Sequence, residues 1–230
     1  MKIKPIKTRV FQEGEDLFDF VCSYFKNIPE KSVIVITSKI VALAEKRTAE
    51  PKDKERILKE ESELAVKTKY MWLTIKDGNF TANAGIDSSN GNGKIILWPK
   101  DSFKTAKEIR EKLRKKYKLK KLGVLITDSR VMPLRSGTLG LAIGWAGFAG
   151  IKNYKGKEDI FGRKFKHSKI NIPDNLASAV ILTMGEGDER QPLTIIENAP
   201  IEFRDKVRRN EIKIKLENDI YLPLYKSVFK

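Results

Sequence analysis

The stretch MWLTIKDGNFTANAG, residues 71–85, decides the fold class. Two runs carrying β-branched and aromatic residues flank Asp77-Gly78, a dipeptide suited to a two-residue hairpin turn, so the segment reads as a β-hairpin. Working outward, SVIVIT (32–37) has the length and β-branched content of a buried strand. Ser38 then stands where it can cap a helix through KIVALAEKR (39–47). Upstream, residues 15–26 read as a helix with Leu17, Val21, Tyr24 and Phe25 on one face, and Pro29 ends it. Downstream, the pattern predicts helices over 54–68 and 173–184, and strands over 95–98, 123–127, 139–147, 193–197 and 211–217. Hairpins mixed with isolated helices, rather than a βαβ repeat, indicate an α+β protein with mixed, largely antiparallel sheets and flanking helices. No repeat or linker interrupts residues 1–230, which are expected to form one unit. A division into two subdomains near residue 120 is the alternative.

Composition excludes several classes. The 230 residues carry 46 Lys+Arg against 30 Asp+Glu, a formal charge of +16, with one cysteine and one histidine. Cys22 alone permits no intrachain disulfide and no Cys-rich zinc site, and His167 alone excludes His-pair metal sites. Any metal is therefore expected to be held by oxygen. No apolar run is long enough to span a bilayer, and MKIKPIKTRVFQEGED lacks the apolar core of a signal peptide, so a cytoplasmic location without membrane contact is expected. Between Lys100 and Lys121 eleven bases face three acids. There Phe103, Ala106, Ile109, Leu113 and Tyr117 recur at helical spacing, so the lysines occupy the outer face of an amphipathic helix. A solvated face explains that charge, and a polyanion contact is the rival reading. Motifs of nucleic-acid binders are missing, which makes nucleic acid an unlikely partner.

Three segments combine carboxylates with glycine or hydroxyl residues where an element ends. ANAGIDSSN (82–90) places Asp87 after a strand, followed by Ser88, Ser89 and Asn90, a set suited to a hard cation or to a turn. GVLITDS (123–129) puts Asp128 and Ser129 at the end of an apolar strand, facing a ligand crevice or closing an Asx turn. MGEGDERQP (184–192) leaves a helix through two glycines and carries Glu186, with Gly185 a natural C-cap. Arg135 and Arg163 are candidates for clamping carboxylate or phosphate oxygens, or ordinary surface charges. A P-loop ending at Gly93-Lys94 fails at Ser88 and at Ile95, and the glycines at 137, 140, 144, 147 and 150 lack dinucleotide-binding spacing. Close packing around Trp145 and Phe148 accounts for them.

Together these segments resemble the coenzyme F420:L-glutamate ligase family, which joins glutamate to a deazaflavin cofactor through a γ-linkage. QEGEDL (12–17), TSKIVALAEKR (37–47), ANAGIDSSN, GVLITDS, LAIGWAG (141–147), YKGKEDIFGR (154–163) and MGEGDERQP follow one another in family order. The resemblance implies a mixed α+β fold, a homodimer with the site near its interface, and magnesium or manganese at two positions. Asp87 and Asp128 would hold one ion, and Ser129 and Glu186 would help hold the second. GTP is the implied cosubstrate, with ATP the alternative. It would be contacted by Thr8, Arg9, Val10, Ser38, Lys39 and Asn90, and by Met184, Gly185, Gly187, Asp188, Glu189, Arg190 and Gln191. L-glutamate and a cofactor acceptor complete the substrates. Relatives that glutamylate folate-type pterins make such a pterin the alternative acceptor, since both acceptors are flat heterocycles with an anionic tail. The chain departs from the family at Leu43, where a lysine is usual, and over residues 91–106.

Overall fold

The computed structural model describes residues 1–225. The first part runs β1 (Lys2–Ile6), α1 (Leu17–Tyr24), β2 (Ser32–Thr37), α2 (Ser38–Ala44), β3 (Thr48–Ala49) and α3 (Lys54–Glu61). Next come β4 (Leu64–Lys67), β5 (Trp72–Lys76), β6 (Asn79–Ala82), β7 (Ile95–Ile96) and α4 (Ser102–Tyr117). The remainder is β8 (Leu122–Val131), β9 (Thr138–Ala146), β10 (Ile151–Asn153), β11 (Lys169–Asn171), α5 (Ile172–Met184), β12 (Leu193–Glu197) and α6 (Leu222–Tyr225).

Five strands form the main sheet in the order β1-β12-β2-β8-β9, antiparallel except for the parallel pair β2–β8. Within SVIVIT, Val33, Ile34, Val35 and Ile36 form an unbroken apolar run because both faces of the strand are covered. Ile34 and Ile36, with Val124 and Ile126 of β8, pack under α1, α2 and α4, whereas Val33, Val35 and Leu125 pack under α5. The protein is thus an α+β fold with helices on both faces of a mixed sheet. The register shifts between Ile126 and Thr127, which pair with Gly144 and Ala142, so Ile143 is an extra residue in β9. A Cβ at Gly140 would lie 2.2 Å from the Ala177 carbonyl carbon, so β9 rests directly on α5 and close packing accounts for this glycine.

Between α2 and α4 the chain builds a smaller unit. The β4-β5-β6 sheet, the β3–β7 ladder and α3 enclose Leu58, Ala84, Ile86, Ile95 and Leu97. Its hairpin turns at Asp77-Gly78, both at positive φ, as the dipeptide predicts. The strands Ser32–Leu122 to Thr37–Thr127 pair across the whole insertion.

Several elements differ from expectation. The helix expected over 54–68 stops at Glu61, and Leu64–Lys67 turns extended because β5 offers it a ladder partner. Residues 211–217 alternate like a strand yet form turns and a short 3-10 segment. They pair with no strand among the described residues, and Glu211 is drawn instead to the Gly150 amide and Arg204. The expected strand over 95–98 shortens to Ile95–Ile96. β1 carries Pro5 in KIKPI, a residue that speaks against a central strand but is tolerated at the sheet edge.

The basic helix α4 buries Ala106, Ile109 and Leu113 and keeps most of its lysines outward. Buried Arg110 is an exception, donating to the Leu122 carbonyl at 2.7 Å and pairing with Asp205. His167 is exposed, and Cys22 is half-buried against the core.

Candidate active site

The site assembles where α2 begins, beside the middle of β8. Lys39, in the first turn of α2, reaches the small unit: its Nζ lies 2.8 Å from Asp87 Oδ2 and donates to Ser89 Oγ at 2.8 Å. Asp87 is fixed by its own backbone, which exchanges two hydrogen bonds with Ile96, and its carboxylate accepts the Ser89 amide at 2.7 Å. Burial alone would raise the Asp87 carboxyl. The Lys39 ammonium and the Ser89 donors outweigh it and hold the group below the usual aspartate range.

Asp128 is in the opposite situation. The sequence suggests a strand end there, but β8 continues to Val131 and Asp128 lies inside it, on the α4 side with Val124 and Ile126. Its half-buried carboxylate accepts from the Trp98 indole nitrogen, and the nearby Ser38 hydroxyl favours its charged form. Ser38 was expected as a helix cap, but it is the first residue of α2 and Thr37 takes the N-cap position, which frees the hydroxyl for Asp128. Burial pushes the Asp128 carboxyl up to about 6. The Trp98 and Ser38 bonds oppose that rise, and the charge of Asp87 adds to it.

Gly85 makes the Trp98 bond possible. Its φ is +70°, and a Cβ would stand 2.0 Å from the indole nitrogen, so a side chain here would evict Trp98. Neither Trp98 nor Gly85 was singled out from the sequence, although Gly85 lies within the ANAGIDSSN signature.

The third wall is the loop after α5. Gly185 ends the helix at φ +78°, and Glu189 folds back onto the Gly187 amide at 2.8 Å. Glu186 is exposed at the mouth. Partial loss of water raises its carboxyl, aided by Asp87 and Glu189 and opposed by Lys39 and a 3.5 Å contact from Thr138. Asn90 reaches this loop through the Gly187 carbonyl at 3.4 Å, and the Thr8 amide donates to the Arg190 carbonyl at 2.8 Å. The fold thus brings Ser38, Lys39, Asp87, Asp128 and Glu186 within one another's electrostatic reach, with Thr8 and Asn90 tied to the same loop.

Other expected residues stand apart. Arg9 is occupied by Glu15 at 2.5 Å, and Val10 is 59% exposed. Arg135 is exposed in the β8–β9 turn, and Arg163 is exposed in the excursion between β10 and β11. Ser129 adjoins Asp128 on β8 and pairs with Gly140.

Among the described residues the metal-ligating groups gathered here are oxygens, and two like charges, Asp87 and Asp128, act on each other with no ion pair to Asp128. That chemistry fits a hard divalent ion. Among the described residues no three His, Cys, Asp or Glu side chains form a ready-made cage, so further oxygens would have to come from serine, backbone, water or substrate.

By its sequence relationships this α+β scaffold is that of a ligase. The chain is a member of the F420-0:Gamma-glutamyl ligase family, whose sequence model matches residues 48–198. It is similar to the Coenzyme F420:L-glutamate ligase of Methanococcus maripaludis strain C6, with 36% identity over 197 residues, 85% of this chain and 79% of that protein. The namesake from Methanocaldococcus jannaschii is 35% identical over 193 residues, covering 84% and 77%. That from Methanopyrus kandleri is 31% identical over 218 residues, covering 85% and 86%. No helix among the described residues is long and apolar enough to cross a membrane.

Proposed function

We propose that the protein joins L-glutamate by a γ-linkage to the precursor of coenzyme F420, using GTP and a divalent cation and passing through an acyl phosphate. The observation that carries the reading is family membership coinciding with the Lys39–Asp87–Asp128 arrangement, whose members come from three separate parts of the chain.

The chemistry asks for such an arrangement. A carboxylate is a poor electrophile because it already bears negative charge, so an amide forms in water only once one oxygen becomes a leaving group. The acceptor carboxylate oxygen attacks the γ-phosphorus and the nucleoside diphosphate departs. The glutamate nitrogen then attacks the acyl carbon, loses a proton, and inorganic phosphate leaves. Bringing two anions together for the first step needs positive charge, which Lys39 supplies from the start of α2. Magnesium or manganese, when bound, would neutralise phosphate charge and align the attack. Asp87 and Asp128 would hold one ion, with Ser129 and Glu186 contributing to a second. The loop from Met184 to Gln191, with Asn90 and Thr8, would border the nucleotide.

Phosphate release measured with each component omitted in turn tests this. It is expected only when GTP or ATP, divalent metal, glutamate and acceptor are all present. A full rate from Asp87→Asn or Asp128→Asn protein contradicts the metal assignment.

A further inference from the structure

Trp98, which holds Asp128, also walls a cleft of about 700 Å³ between the β5–β6 hairpin and the β8–β9 end of the main sheet. This volume lies within the range of small-molecule sites. Among the described residues two donors on its walls have no acceptor. Arg130 Nε is buried and unpartnered, and the guanidinium makes a single 3.4 Å contact, to Asp174. Trp145 is 1% exposed, and its indole nitrogen has no acceptor either. Leaving such groups unmet costs free energy that a ligand bringing acceptor atoms would recover.

Asp174 and Asp101, two of the four acids that line the cleft, do not fill that need. Asp174 takes the Ala142 amide at 2.9 Å and the Asn171 side chain at 2.8 Å, and Asp101 is engaged by Arg209 at 2.6 Å and by the first turn of α4. Lys100, exposed at the rim, forms no ion pair among the described residues. Aromatic rings form part of the lining, with Phe103 on Trp145 at a centroid distance of 4.7 Å, a surface suited to a planar ring.

We propose that this cleft is the acceptor site. It takes a planar heteroaromatic ring whose anionic group, carboxylate or phosphodiester, is received by Arg130. The proposal rests on the ligase reading above. Arg130 lies two residues beyond Asp128 on β8, about 7 Å along the strand. Trp98 stands between that anchor and the candidate active site, lining the cleft and bonding the Asp128 carboxylate.

The test uses three probes: the glutamate-free deazaflavin acceptor, the same ring without its anionic tail, and a folate-type pterin. Binding to the full chain is followed by tryptophan quenching and calorimetry, with thermal unfolding as the check on folding. Arg130→Gln is expected to weaken the tailed acceptor at least about tenfold and to leave the tail-less ring unchanged, because only a charge-assisted contact is lost. Leu73→Trp, at a cleft residue that is 36% exposed, is expected to weaken both. Binding of the pterin in place of the deazaflavin, with the same response to Arg130→Gln, supports the cleft and changes the acceptor. Unchanged acceptor affinity and KM in both variants, in protein that still makes product, overturns the cleft and leaves the ligase reading intact. Binding that Arg130→Gln abolishes, without phosphate release from either nucleotide, supports the cleft and sinks the ligase reading.

Discussion

The Trp98 indole nitrogen donates to the Asp128 carboxylate across thirty residues of sequence, and it ties the smaller unit to the main sheet at the point where the proposed chemistry occurs. Gly85 leaves the indole the space for that bond. Gly85→Ala is expected to displace the ring, destabilise the fold by about 1–3 kcal/mol and remove most activity. Trp98→Phe should keep the packing while deleting the donor. Urea denaturation together with turnover separates the two effects: a Trp98→Phe protein with full activity would show that the bond is dispensable.

Lys39 is the only cation within 4 Å of Asp87 among the described residues. Lys39→Met should lower kcat/KM about 10- to 100-fold, with Lys39→Arg retaining part of the rate, because positive charge is needed where anions meet. Steady-state kinetics with nucleotide and acceptor varied separately reads this out, and equal rates for Lys39→Met and the unmodified protein would remove Lys39 from the reaction.

Asp128 sets a pH dependence whose sign follows from linkage. Its carboxyl is raised to about 6 in the folded chain, whereas an unfolded aspartate titrates near about 3.9. Between those values the folded state binds more protons, so this group's contribution to stability is full below about pH 4 and is lost as pH rises through about 6. Partial exposure reduces the expected loss to roughly 1–2 kcal/mol. Denaturation of metal-free protein at pH 4, 5 and 6, compared with Asp128→Asn, isolates it. The slope should be shallower in the variant.

Manganese should raise the melting temperature, since a ligand that binds only the folded state stabilises it by about 2.7 kcal/mol at a hundredfold excess over Kd. Asp87→Asn and Asp128→Asn should each blunt that rise, and a chelator should reverse it. Differential scanning fluorimetry is sufficient, and an equal rise in all three proteins would place the ion elsewhere.

The smaller unit carries Asp87 on a core of few residues, so Leu58→Ala, at a side chain 1% exposed, should cost about 2–4 kcal/mol and reduce activity without touching the site. A loss under about 1 kcal/mol in equilibrium unfolding would mean that this core collapses around the gap.

Much of this was legible along the chain. SVIVIT, LTIIE and the Asp77-Gly78 hairpin are read directly, because β-branched runs and a turn dipeptide act locally. The 211–217 segment misleads for the complementary reason: alternation suits a half-buried strand, but only a partner edge makes one. Asp87, Asp128 and Glu186 stand out as carboxylates near glycine and serine. Arg130 and Trp98 carry no local signal, since each matters through a contact made far away in sequence.

Local composition by itself determined an α+β class and marked the acidic segments worth watching, because helix period, strand branching and side-chain type are properties of neighbours. Which acids share a field, which of them Lys39 neutralises and which Trp98 holds were decided only by tertiary structure. Those outcomes depend on distances and desolvation that arise when Ser38, Asp87, Trp98 and Asp128 are packed against one another.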